Sequence, residues 1–240
     1  MAAHHGGLPG VAPGPHRALA YPPMELLLAL PVLLLSVVLH EYAHGWMALR
    51  QGDRTALDAG RLTMNPAAHI DPVGSILVPL ILWLAPGNVL FGWARPVPVD
   101  PRNFRNYRRG DILVSLAGVA ANLLLAALFT MAIIVLIHLG RVLPAGEGVF
   151  SVLRAMAHLG IWLNLILVFF NLIPIPPLDG SHVLYHLLPT RLAVVYREIG
   201  RYGMVVLLLI LFLAPEVIDF LLWPVSMLDG LAAALVRLST

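Results

Sequence analysis

Apolar residues dominate four long stretches of this 240-residue chain, and polar residues gather between them. The first stretch, Met24 to about Leu49, carries Glu25 as its only ionisable residue before His40. At a helical rise of ~1.5 Å per residue it is long enough to cross ~30 Å of hydrocarbon. Gly52-Asp53 ends it. Asp111 to about Leu139 and Ala155 to Leu172 read as a second and a third span. Tyr202 to Trp223 reads as a fourth, interrupted late by Pro215. Residues 71–93 are also apolar, but Pro72, Gly74, Pro79, Pro86, Gly87 and Gly92 break them, which predicts a re-entrant or hairpin segment. Ala59–Met64 suits a short strand or hairpin ahead of the Asn65-Pro66 turn. Ser181–Leu188 suits a short helix, and residues 225–238 an amphipathic tail helix. Residues 1–22, rich in Gly, Pro and His without periodicity, read as a disordered lead-in to one domain over 23–240. The expected fold is therefore an all-α polytopic membrane protein with about four clear transmembrane helices, a re-entrant element and a short β-like element after the first helix.

Composition sharpens this picture. The chain is 59% hydrophobic and only 12% charged, whereas soluble domains are nearer a quarter charged. It has no cysteine, so disulfides and thiolate metal sites are excluded. The formal net charge is only +2, and no basic patch interleaves with aromatic residues, which excludes nucleic acid as a partner. The partner that composition alone implies is the lipid bilayer. Segments 50–61, 95–109 and 190–201 hold eleven of the 15 Arg residues. Cytoplasmic loops are enriched in basic residues, so these three segments are placed on the cytoplasmic side, and the first helix ends there.

The candidate chemistry lies near that end of the first helix, in His40-Glu41-Tyr42-Ala43-His44. Residues i and i+4 share a helix face, so two imidazoles can hold one Zn²⁺ while Glu41 serves as general base. Ionisable residues in a lipid-length helix are expensive and point to function. A catalytic zinc usually has three protein ligands. Asp179 is the best third candidate, just past a helix broken by Pro174, Pro176 and Pro177. The competing reading of that stretch is a plain Pro/Asp/Gly surface turn. If His40, His44 and Asp179 meet, the first and third spans must run in the same direction. With one clear span between them, residues 71–93 cannot cross singly. The Arg distribution makes the same demand. His182 and His186 form a rival i, i+4 pair with no Glu between them. His69 sits near a membrane boundary and suits a supporting or substrate-pathway role. Asn122 and Asn171, amides inside apolar helices, suit either bonds across helices or a grip on substrate.

With these residues assembled, the chain resembles the site-2 protease family of intramembrane zinc metalloproteases. The resemblance rests on His40–His44 and on Asn171-Leu-Ile-Pro-Ile-Pro-Pro-Leu-Asp179-Gly180. The compact bacterial branch is matched in Gly60–Pro66, His69–Gly74 and Phe91–Pro98. It implies one zinc per chain on His40, His44 and Asp179, with Glu41 as catalytic acid/base acting on zinc-activated water. It also maps a small-residue motif to Gly118 and Asn122, where Val119 replaces the family's common Pro, and gives Asn171 a part in positioning substrate. The implied reaction is hydrolysis of peptide bonds in or near transmembrane segments of membrane proteins. The loop between the second and third spans is too short for a PDZ domain. Two other readings use the same ligands: a non-proteolytic membrane metal-binding or transport protein, and an inactive scaffold that grips transmembrane segments.

Overall fold

A computed structural model describes residues 23–78, 81 and 92–240. The expectation for residues 1–22, and most of the 71–93 segment, lie outside the described residues. The helices are α1 (Pro23–Gln51), α2 (Thr55–Asp58), α3 (Tyr107–Val142), α4 (Glu147–Asn171), α5 (Asp179–Leu187), α6 (Thr190–Gly200), α7 (Gly203–Leu213) and α8 (Pro215–Ser239). Among the described residues, four helices are long and apolar enough to cross a membrane, those of α1, α3, α4 and α8. Their outward faces stay apolar. On α3, Leu123, Leu124, Leu128 and Met131 are all exposed, as a lipid-facing surface requires.

Side-chain contacts fix the helix directions. Asn164 Nδ2 donates to Ser36 Oγ at 2.8 Å, and further along the sequence from each of these residues His40 reaches Asp179. Helices α1 and α4 therefore run in the same direction, as a shared site demands. Helix α3 runs against them, because Val114 pairs with His44 and Asn122 with His40. Helix α8 closes the bundle beside α3 and α4. Ala126 and Ile133 of α3, Ile161 and Leu165 of α4, and Val225 and Ala232 of α8 form one buried cluster.

The required return of the 71–93 segment is visible at its ends. Trp93 N donates to Gly74 O at 3.0 Å, and Arg95 N to His69 O at 2.9 Å. The chain thus enters and leaves this segment at one place, which a single crossing would forbid.

Three boundaries differ from the sequence reading. The fourth span is not Tyr202–Trp223. Helix α7 stops at Leu213, too short to cross ~30 Å, and the crossing helix is α8, which absorbs the expected amphipathic tail. Proline is favoured at the start of a helix and pushes its predecessor out of helical geometry. Pro215 accordingly opens α8 rather than interrupting an earlier span. The expected strand over Ala59–Met64 is also replaced. Residues 55–58 form α2, residues 61–65 are irregular, and no strand occurs among the described residues. The partner of this segment is a guanidinium: Arg61 Nη2 donates to the carbonyls of Arg95 and Pro96 at 3.1 and 3.2 Å. Pro96 and Pro98 lack the N–H groups that a strand ladder would use. Finally, the connection between α3 and α4 is shorter than expected, only residues 143–146.

Asp53 ties the active end together. Gly52, at φ +111°, turns the chain out of α1, and the following Asp53 is fully buried. Its carboxylate accepts from Asp100 N at 2.8 Å, Asn103 Nδ2 at 2.8 Å and Thr55 N at 3.1 Å. Burial pushes the Asp53 carboxyl up, but these donors outweigh it and hold the group below the ordinary carboxylate range.

Candidate metal centre

Helix α1 presents His40 and His44 on one face, with ring centroids 4.5 Å apart. Their Nε2 atoms lie 3.0 Å apart. Asp179 Oδ2 lies 3.4 Å from the first and 3.3 Å from the second. Asp179 is the first residue of α5, brought inward after the Pro-rich turn. Gly180 makes that turn possible, since a Cβ there would sit 2.2 Å from the Leu172 carbonyl oxygen. The plain surface-turn reading of Pro174–Gly180 is thus replaced by a turn folded against the bundle. Of the two histidine pairs in the sequence, only His40/His44 meets Asp179.

The outer nitrogen of each imidazole is fixed by α3. His44 Nδ1–H donates to Val114 O at 2.7 Å. His40 Nδ1 lies 3.2 Å from Asn122 Oδ1, and the N–H donates to that oxygen. With both protons on Nδ1, both Nε2 lone pairs face inward, the arrangement that outer hydrogen bonds impose on metal-binding histidines. Two lone pairs and a carboxylate oxygen at 3.0–3.4 Å repel one another unless a cation sits among them. Asp179 Oδ2 is moreover buried with no hydrogen-bond partner, and buried polar atoms are rarely left so. Bonds of ~2.0–2.1 Å in a tetrahedral site separate ligand atoms by roughly 3.3–3.4 Å. The triangle fits zinc, and among the described residues it is the group of His and acidic side chains that could hold a metal.

Gly118 lies against both rings. A Cβ at that position would sit 2.4 Å from His44 Nε2 and 2.6 Å from His40 Cε1, so only glycine lets α3 approach α1 this closely. Asn122 is fully buried and stands behind His40. Glu41, one residue round the helix, accepts from Val97 N at 2.7 Å. Two other candidates make their hydrogen bonds elsewhere. His69 is buried and its Nε2–H donates to Thr63 O at 2.9 Å, so it braces its own loop. Asn171 Nδ2 donates to Leu167 O within α4 at 2.9 Å. His182 and His186 turn to Asp111 instead.

Several parts of this arrangement escape a reading of motifs. Val114 and Val97 act through backbone groups, which no side-chain pattern reveals. Asn164 and Ser36 join α1 to α4 inside the bundle, and the signal for Asn164 was the one that marked Asn122, an amide in an apolar run.

A family model described as "Peptidase family M50" matches residues 98–214, a range that includes Gly118, Asn122 and Asp179. "Putative zinc metalloprotease YwhC" of Bacillus subtilis is 39% identical over 206 residues, covering 85% of this chain and 88% of that protein. "Putative zinc metalloprotease Rip2" of Mycolicibacterium smegmatis is 34% identical over 214 residues, covering 88% of this chain and 76% of that protein. The chain belongs to peptidase family M50. No solved structure matches it. As an M50 peptidase with four membrane-length helices, it is a zinc metalloprotease and an integral membrane protein. The M50 membership also gives the His40/His44/Asp179 triangle a family that uses zinc.

Proposed function

We propose that this M50 peptidase is an intramembrane protease that hydrolyses peptide bonds in or near transmembrane segments of other membrane proteins. The observation that carries this reading is the triangle of two inward Nε2 atoms and one orphaned carboxylate oxygen, set beside Glu41 on a membrane-length helix. His40, His44 and Asp179 would hold one zinc. When bound there, zinc supplies Lewis-acid polarisation of the scissile carbonyl and makes water acidic near neutral pH.

The protein's own residues do the rest. Glu41 takes the proton from water and passes it to the leaving amine. The Val97 N–H holds one oxygen of Glu41 and so aims the carboxylate. Val114 and Asn122 keep the imidazoles in the tautomer that leaves Nε2 free. A helical substrate hides its carbonyls in intrahelical hydrogen bonds, so it must unwind locally before attack, and its freed groups need polar partners at that depth. Substrate therefore has to reach the end of the bundle where irregular chain replaces helix. That end is assigned to the cytoplasmic side. The three Arg-rich segments converge there through Arg105 N to Gln51 O at 2.9 Å and Arg197 Nη2 to Tyr107 Oη at 2.8 Å, which suits the positive-inside rule.

The test uses protein purified in detergent, a model transmembrane peptide and metal analysis. Glu41→Gln should keep stoichiometric zinc and lose cleavage. Retained cleavage would remove Glu41 as the base. Stoichiometric zinc in Asp179→Ala would remove Asp179 as a ligand.

A further inference from the structure

We propose that Asp111, His182 and His186 form a clamp between α3 and α5 that positions Asp179 to serve as a metal ligand. The inference rests on the metal-centre reading above and adds three positioning residues to it.

Helix α5 is only nine residues long, and Asp179 is its first. Residues 179, 182 and 186 stand at i, i+3 and i+7, so they share one helix face. The ligand is at one end of that face and two imidazoles follow it. Both imidazoles end on one carboxylate. His186 Nε2 lies 2.7 Å from Asp111 Oδ2. His182 Nδ1 lies 3.3 Å from both Asp111 oxygens. Asp111 and His186 are nearly closed to solvent, with side-chain exposures of 8% and 5%. The outer layer is aromatic and cationic. Tyr107 and Tyr185 meet the His186 ring edge-on, at 5.1 and 5.0 Å between centroids, and Arg197 lies over Tyr185.

His182 is half-exposed, but Asp111 and His186 are not, and a polar contact at such depth is a poor source of net stability, because desolvation offsets attraction and apolar packing would hold two helices at least as well. What it adds is a directional contact at a defined distance. Direction matters here because metal–ligand distances tolerate only about ±0.2 Å. Asp179 lies ~10 Å along the helix from His186, so a small tilt of α5 would carry its carboxylate out of range.

Helix α3 fixes the other two ligands from the same face. Asp111, Val114, Gly118 and Asn122 are spaced by three and four residues. Val114 holds His44, Asn122 holds His40, and Gly118 admits both rings. Through Asp111 that face also sets Asp179, so all three candidate ligands are referenced to one rigid helix. Groups that orient metal ligands in this indirect way typically change metal affinity by ~10–100-fold.

The experiment loads the purified full-length protein with Co²⁺ and records its d–d absorption and affinity, alongside the thermal midpoint of the metal-free form. Asp111→Ala should weaken Co²⁺ binding by ~10–100-fold and shift the absorption toward that of Asp179→Ala. Asp111→Asn, which keeps an acceptor for one imidazole, should recover part of the affinity. If Asp111→Ala does not yield folded protein, Asp111→Asn and His182→Gln carry the same test. Wild-type absorption and affinity in these variants, with only the metal-free midpoint lowered, would overturn the clamp and leave the metal centre standing. Failure of wild-type protein to bind Co²⁺, or an unchanged spectrum in Asp179→Ala, would overturn the metal centre and the clamp with it.

Discussion

The backbone N–H of Val97 donates to Glu41 Oε2 at 2.7 Å, joining residues more than fifty positions apart. A side-chain carboxylate on a helix surface has several rotamers, and a charged hydrogen bond of this kind selects one. Such bonds contribute about 1.5–3 kcal/mol. Val97→Pro removes the donor and should lower kcat for peptide cleavage by roughly 10–100-fold while zinc content stays at the wild-type level. Val97→Ala keeps the donor and should retain most activity. Equal losses in the two variants would show that the Val97 side chain, which lies against Gly45, matters instead of the N–H.

Asn122→Leu tests the outer hydrogen bond of His40. The substitution roughly keeps volume but leaves the Nδ1–H without an acceptor, so the ring loses its reason to keep Nε2 inward. Zinc affinity measured by competition with a chromogenic chelator should fall by ~10–100-fold, and activity should return at high zinc. An unchanged affinity would mean that packing alone orients His40.

Gly118→Ala places a methyl carbon within 2.4 Å of His44 Nε2 in the present geometry. Overpacking of this kind usually costs ~1–3 kcal/mol, and here the strain falls on the imidazoles. Elemental analysis should find the variant depleted of zinc, with folding judged by gel filtration in detergent largely intact. Full zinc occupancy would show that α3 can move away from α1 without loss.

How much of this was legible in the sequence depends on the length scale of each cause. Lipid-length apolar runs announced α1, α3 and α4, because span length is a local property. The parallel relation of α1 and α4 followed from requiring His40, His44 and Asp179 to meet, and the count of crossings then excluded a single pass of residues 71–93. The boundary near Pro215 was misjudged because an apolar run continues across it, and hydropathy does not report where a helix is re-started. The strand expected over Ala59–Met64 was a local propensity with no partner. Its neighbour around Pro96 and Pro98 lacks the donors for a ladder, and Arg61 serves its carbonyls instead. In the site, His40, Glu41 and His44 were visible because three chemical types occur at helical spacing. Asp179 needed the second motif. Asp111 looked like the polar start of a span, and only the fold shows that its carboxylate meets both imidazoles of α5.

Asp53 leads to a pH-dependent prediction. Its carboxylate joins the end of α1 to Asp100 and Asn103, and these bonds close the loop that carries Val97 to Glu41. The hydrogen-bond donors hold its carboxyl below the ordinary range in the folded protein. In the unfolded chain the group returns to ~3.9. A carboxyl depressed by folding binds its proton more readily when unfolded, so stability falls as pH falls. The contribution of Asp53 is therefore full above about pH 4 and disappears as pH drops through the lower, folded value. Asp53→Asn has no such titration and presents an amide where the N–H donors point. At neutral pH it should unfold at a lower temperature than wild type in detergent micelles. The gap between the two midpoints should narrow steadily below about pH 4. A gap that is constant from pH 7 to the lowest pH tolerated would mean that the effect of Asp53 comes from shape and not from charge.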